Sequence, residues 1–173
     1  MSHLRLLIYI IGIILLLLMP GALAVSASSN NTSATEQIIF YMDPPKLTAV
    51  DVPPVGKSQG DAYYFNASLH SAKDGPVIGE LFGIKTVDKL SPLRTTGIEQ
   101  RFTFLIFTFN NKADQIVVAG IVDYPSQEGE FVPSEPVVRA VLSGTGKFMG
   151  VRGQVVSTRN NDGSYNHVFT LLR

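Results

Sequence analysis

The stretch RFTFLIFTFN, residues 101 to 110, restricts the possible folds more than any other part of this chain. In an extended backbone successive side chains point to opposite faces, so Phe102, Phe104 and Ile106 share one face while Leu105, Phe107 and Phe109 share the other. A strand with one wet face would not be apolar at both parities. This one needs cover on both sides. A closed barrel supplies an interior for one face, and a neighbouring subunit is the most economical cover for the other.

The rest of the chain agrees with that requirement. From Gln37 onward the apolar runs are short, β-branched or aromatic, and are interrupted by Gly, Pro, Asn and Asp, with no long helical period. The pattern predicts strands at 37–42, 60–70, 76–88, 100–109, 115–123, 136–143, 151–159 and 164–172. In DAYYFNASLH, residues 61–70, alternation leaves one face clearly wetter than the other. KDGP at 73–76 and NNDG at 160–163 read as hairpin turns, each with a Gly where positive φ is wanted. Two longer connections stand out: YPSQEGEFVPSE at 124–135 reads as a loop or lid, and the proline-rich 43–59 as a strap over one mouth. About eight strands enclose an interior that side chains fill or that holds one small ligand, so the expected fold is an all-β, eight-stranded antiparallel β-barrel.

The N-terminus reads as an address. Arg5 precedes the unbroken apolar run Leu6 to Met19, and Ala22-Leu23-Ala24 offers the small-x-small pattern of a cleavage site. The expected organisation is a signal peptide over 1–24, a small, polar, flexible leader over 25–36, and a barrel domain over 37–173, in a protein that is secreted and extracellular. With no cysteine, an extracellular chain must draw its stability from a well-filled core or from subunit assembly. Asn30, Asn31 and Asn66 each begin a glycosylation sequon.

Several functions are disfavoured. A formal net charge of +0 lacks the basic excess that nucleic-acid binding exploits. The chain beyond residue 24 contains only His70 and His167, with no cysteine and no metal-ligand spacing, so no metal or other cofactor is expected. GKS at 56–58 has Asp51 where a phosphate loop needs Gly, and LSGTGKFMGVRG at 142–153 reads as a tight strand connection with Lys147 solvated at the turn. No GxSxG nucleophile elbow occurs.

Positive candidates remain. Asp43 follows the first strand and Asp61 opens the second; carboxylates at one barrel mouth would have raised pKa values suited to proton transfer. Tyr63, Phe65, Phe102 and Phe104 are candidate walls of an apolar ligand cavity. His167 alternates in register with Tyr165, Phe169 and Leu171, which places it on the barrel wall as a further candidate cavity residue and a candidate acid or base. Glu80, flanked by apolar residues, would need a partner such as Arg101 or Arg152 if it faced inward.

VLSGTGKFMGVRGQV, together with IIFYMD, VGKSQGDAYYFNASL and YNHVFTLL, resembles the dirigent and allene oxide cyclase superfamily of eight-stranded barrels over roughly residues 37–173. The resemblance implies that Asp43 corresponds to the family's Asp after the first strand and Arg152 to the Arg of its Arg-Gly, making these the candidate catalytic residues. Phe65 matches a pocket aromatic of the cyclases. The chain departs from the dirigent pattern at Val138, in place of an acid, and at Met149, in place of an Arg. The implied function is stereoselective coupling of a small apolar substrate or radical intermediate, foremost phenoxy-radical coupling in phenylpropanoid chemistry. An external oxidase would generate the radicals, in the apoplast if the source is a plant, and the assembly would be a homotrimer. The alternatives are a metal-free isomerase or cyclase of the allene-oxide type, and a non-catalytic carrier or structural barrel.

Overall fold

The computed structural model describes residues 35–89, 98–125 and 130–172. The proposed signal peptide, most of the leader, Asn30 and Asn31 lie outside the described residues. Nine strands run through the rest: β1 (Thr35–Met42), β2 (Lys46–Val50), β3 (Ala62–His70), β4 (Val77–Lys89), β5 (Ile98–Phe109), β6 (Asp114–Pro125), β7 (Pro136–Thr145), β8 (Arg152–Arg159) and β9 (Tyr165–Leu172). All pairings are antiparallel, in the order β1-β9-β8-β7-β6-β5-β4-β3, and β1 returns to β3 at Met42↔Leu69. That last ladder closes a barrel of eight strands.

Seven of the expected strands differ from the observed ones by at most two residues at either end, as does the eighth, whose leader-side boundary moves to Thr35. The strap over 43–59 differs. Its first part is β2, which pairs with β3 from Lys46↔Asn66 to Val50↔Ala62. Both β1 and β2 lie antiparallel to β3 and on the same edge of it, so β2 continues β1 after an interruption at Asp43-Pro44-Pro45. Two consecutive prolines, without N–H groups, cannot continue the ladder there. Asp61 anchors the remainder of this segment. Its carboxylate accepts hydrogen bonds from the N–H groups of Val52 and Ser58 at 3.0 and 2.9 Å, and the Ser58 hydroxyl lies 2.9 Å away. Against the upward push of burial, these bonds and the charge of Lys57 hold the Asp61 carboxyl below the usual range. Asp61 therefore secures a loop rather than lining a mouth beside Asp43.

Parity decides what each strand buries. On β3, β4 and β5 the odd-numbered residues face inward, and on β6 the even-numbered ones do. The interior has two unlike halves. The half nearer the β5–β6 and β7–β8 connections is apolar: Phe40, Phe107, Phe109, Ile116, Val118, Phe148 and Phe169 interlock, with ring pairs 4.7 to 5.7 Å apart. Each such fully buried side chain contributes roughly 1.5–3 kcal/mol. Phe148 belongs to the LSGTGKFMGVRG stretch and closes this end of the barrel. The turn that delivers it passes through Gly146 at φ +57°, where a Cβ would collide with the Asp114 carboxylate. Lys147 is exposed at this turn, with its ammonium over the Phe148 and Phe109 rings at 4.9 and 5.5 Å.

At the expected hairpin turns, Gly163 does adopt φ +86°, but in KDGP the positive φ of +59° falls on Asp74 rather than Gly75. Asp tolerates that region better than most residues with a Cβ, because its short side chain can bond locally.

Candidate functional site

The other half of the interior is polar, and strands that look ordinary in sequence build it. Lys85 shares its face of β4 with Leu81 and Val87, Arg101 shares its face of β5 with Leu105 and Phe107, and Arg139 shares its face of β7 with Val141. Each charge is carried inward by the same alternation that buries its apolar neighbours. Lys85, Arg101 and Arg139 are 2%, 0% and 4% exposed. Burial at this level requires partners.

Two carboxylates meet part of that demand. Glu99 accepts from Arg101 Nε at 2.7 Å, with a second, very short contact from Nη2, and Lys57 lies 3.7 Å from its other oxygen. The Arg101 guanidinium is stacked between Tyr63 and Tyr124, 4.3 and 4.6 Å from their ring centres. Glu130 comes from the β6–β7 connection. Lys85 Nζ donates to its Oε1 at 2.6 Å, and the Tyr165 hydroxyl donates to its Oε2 in a very short bond. Lys85 also lies over the rings of Phe65 and Tyr124 at 4.5 and 5.2 Å. Burial pulls its ammonium down to about 8 despite Glu130, and the positive charges of Arg101 and Arg139 add to the fall. Burial and the adjacent Glu130 charge push the Tyr165 phenol well above its ordinary value.

Arg139 is different. It donates from Nη2 to the Tyr124 hydroxyl at 2.9 Å and lies 5.7 Å from the Phe131 ring centre, but its Nε has no hydrogen-bond partner. Nearby, the fully buried His167 shares a 2.9 Å hydrogen bond between Nδ1 and the Ser157 hydroxyl, and its Nε2 is likewise unpartnered. Desolvation, reinforced by Arg139, takes the imidazole pKa down to about 3, so it is neutral at physiological pH.

Lys85, Tyr124, Glu130, Arg139, Ser157, Tyr165 and His167 surround a cavity, with Met42, Phe65, Leu81, Thr103, Leu105 and Phe131 completing its wall. Its free volume is about 20 Å³, room for one water molecule. Glu130 and Phe131, from the connection expected to act as a loop or lid, form part of that wall. Residues 126–129 of that connection lie outside the described residues.

Of the residues singled out in sequence, Phe65 and His167 line this cavity, and Tyr63 stacks on Arg101 at its edge. Phe102 and Phe104 are corrected to the outside: they have the opposite parity from Arg101 and Thr103, and Phe102 is 44% exposed. Asp43 also faces away from the cavity, with its carboxylate 3.2 Å from His70 Nε2. His70 additionally contacts the Gly75 carbonyl through Nδ1, and these bonds, Asp43 first, raise its pKa. Arg152 is exposed at the start of β8, at the apolar end of the barrel and on the parity opposite Val155 and Ser157. The fold therefore does not bring Asp43 and Arg152 together. Glu80 is exposed on the outer face of β4, so it needs no interior partner, and Asn66 is exposed on β3. Among the described residues no three His, Cys, Asp or Glu side chains cluster as a metal site.

Sequence reasoning missed Lys85, Glu99, Arg139, Tyr124, Glu130 and Tyr165, and considered Arg101 only as a partner for Glu80. For the strand residues a signal was present: each shares parity with the apolar residues of its own strand. For Glu130, in an irregular connection, no periodic signal exists.

No family model matches the chain, and no curated protein does. Solved structures do. A pyocyanin demethylase superposes with a TM-score of 0.59 at 17% identity, covering 80% of this chain and 99% of that one. A pterocarpan synthase dirigent protein gives 0.58 at 15% identity over 82% and 89% of the two chains. A Diels–Alderase from Streptomyces koyangensis gives 0.56 at 17% identity over 81% of this chain and 63% of that one.

Proposed function

We propose, from the barrel fold shared with a dirigent protein and a Diels–Alderase, that this chain binds a reactive, largely apolar small molecule in the polar half of its interior. There it imposes stereoselectivity on the molecule's coupling, foremost the coupling of phenoxy radicals of the phenylpropanoid type. One observation carries the reading. Four aromatic rings, Tyr63, Phe65, Tyr124 and Tyr165, stand around the buried donors Lys85, Arg101, Arg139 and Thr103 in the polar half of the barrel. Aromatic walls stack an aromatic ligand, and a few fixed donors orient its oxygens.

Such a coupling needs no nucleophile from the protein. An external oxidase removes one electron and one proton from each of two phenols, and the two radicals then form a carbon–carbon bond. The barrel's contribution is to hold one relative orientation and exclude water, an effect worth up to about 7–11 kcal/mol in ideal cases. Ligand entry requires the part of the cavity wall formed by Glu130 and Phe131 to move aside. The proposed setting is extracellular, where secretion would deliver the chain to an oxidase. The outer face formed by Phe102, Ile121, Val138 and Leu142, each 44% to 57% exposed, supports assembly with further copies.

A specific feature favours a second reading, a metal-free isomerase or cyclase. Lys85, Glu130 and Tyr165 form a hydrogen-bonded chain, with Lys85 near 8, which suits proton transfer close to neutral pH. The deciding experiment incubates the protein from residue 25 onward with coniferyl alcohol and a one-electron oxidant, and resolves the dimers by chiral chromatography. An excess of one enantiomer is expected. A racemic product overturns the coupling reading for that substrate.

A further inference from the structure

Two buried polar atoms in the polar half of the barrel have no hydrogen-bond partner among the described residues: Arg139 Nε and His167 Nε2. Their side chains line the same cavity. The strand ladders bring them there together. Val155 stands opposite Arg139, and Ser157, two residues further along the same inner face of β8, stands opposite His167. Both groups are tethered at their other end. Arg139 is held through Nη2 by the Tyr124 hydroxyl at 2.9 Å. His167 is held through Nδ1 by the Ser157 hydroxyl at 2.9 Å, with Tyr165 parallel to its ring at 5.9 Å and Phe107 edge-on at 5.0 Å. Leaving a buried donor or acceptor unmatched is costly, and both atoms fit a site whose remaining partner arrives with the ligand.

The two atoms limit what that partner can be. Arg139 Nε–H can only donate, so it needs an oxygen that accepts. The imidazole proton sits on Nδ1 or on Nε2 according to the direction of the Ser157 bond. A hydroxyl serves both tautomers, since it donates to a bare Nε2 and accepts from a protonated one, whereas ether and carbonyl oxygens serve only the second. Burial and the Arg139 charge hold the imidazole pKa at about 3, so His167 offers a hydrogen bond and not a charge. The free volume of about 20 Å³ takes one such oxygen. We infer that Arg139 and His167 are the specificity-determining pair of the ligand site and recognise a neutral phenol, whose oxygen accepts from Arg139 Nε and whose hydroxyl is hydrogen-bonded to His167 Nε2. A phenol carries its ring directly on that oxygen, which sets the ring beside Phe65, Tyr124 and Tyr165 of the same cavity. A site built around a hydroxyl rejects the analogue without it, because its own buried polar groups are then left unpaired. This inference rests on the small-molecule reading above and deepens it by naming the group recognised and the residues that recognise it.

Isothermal titration calorimetry at neutral pH with coniferyl alcohol and with its phenol methyl ether tests it, alongside proton–nitrogen NMR of the imidazole and guanidinium groups. The phenol is expected to bind about tenfold or more tightly than the ether. It is also expected to shift the His167 Nε2 and Arg139 Nε signals further than the ether does. Arg139→Met and His167→Leu should each abolish the preference for the phenol. Equal or tighter binding of the ether overturns the phenol recognition and leaves the small-molecule reading standing. A selectively bound phenol that leaves one of the two signals in place overturns the part given to that residue, as does a preference that survives its substitution. If either variant does not fold, the ratio of the two affinities and the NMR shifts in the unaltered protein still decide. Failure of both ligands to bind removes the inference together with the reading beneath it.

Discussion

Acid should destabilise this barrel in part through His167. The imidazole is fully buried, its Nε2 has no partner, and burial with the nearby Arg139 charge holds its pKa at about 3. In the unfolded chain it titrates near 6.5. Between those values the unfolded state binds more protons than the folded one, so stability falls as pH falls, beginning near 6.5 and ending near 3. From pH 7 to pH 4 the linkage amounts to about 3 kcal/mol, a large share of the 5–15 kcal/mol typical of a domain. The contribution can be isolated with His167→Gln, which keeps an amide beside Ser157 but does not titrate. Urea unfolding followed by circular dichroism at pH 7, 5 and 4 gives the stability of both proteins, and their difference cancels the other titrating groups. That difference should change by about 3 kcal/mol between pH 7 and 4, with the unaltered protein losing more. Curves that stay parallel within about 0.5 kcal/mol would refute the assignment of a neutral, desolvated imidazole.

Gly83→Ala should destabilise the barrel by about 1–3 kcal/mol, because a Cβ there would lie 2.6 and 2.7 Å from Phe65 Cε1 and Cε2. Pairing it with Phe65→Leu should recover much of the loss in a thermal melt, and no recovery would show that the backbone, not the ring, is the obstacle. Asp43→Asn should lower the His70 pKa, followed by the imidazole proton shifts in NMR. Because that pKa is raised in the fold, the pair's contribution is complete below 6.5 and fades as pH rises through the folded value, opposite in sign to His167. An unmoved His70 titration would exclude Asp43 as its principal partner.

The barrel was readable because its determinants are local. Phe107 and Phe109 on one parity and Phe104 and Ile106 on the other require cover on both faces whatever the neighbouring strands do, and glycines and prolines mark where strands stop. Phe65 and His167 were found because each alternates with plainly apolar neighbours. Phe102 and Phe104 were assigned to the wrong side because a strand apolar at both parities does not reveal which parity faces in. That choice was made by the burial of Leu105, Phe107 and Phe109, which carries Arg101 and Glu99 inward on the same parity, where they pair with each other beside Tyr63 and Tyr124.

The chain's own residues thus determined an all-β chain of short strands with an apolar alternation, and they suggested an enclosed interior. Tertiary structure decided that Lys85, Arg101 and Arg139, separated by many residues on three different strands, share one desolvated space with Glu130 and Tyr165. It also decided that Asp43 and Arg152 do not join them. Parity along a strand is a property of consecutive residues and can be read from them. The stagger between strands, which sets which charges meet across the interior, belongs to the closed barrel as a whole.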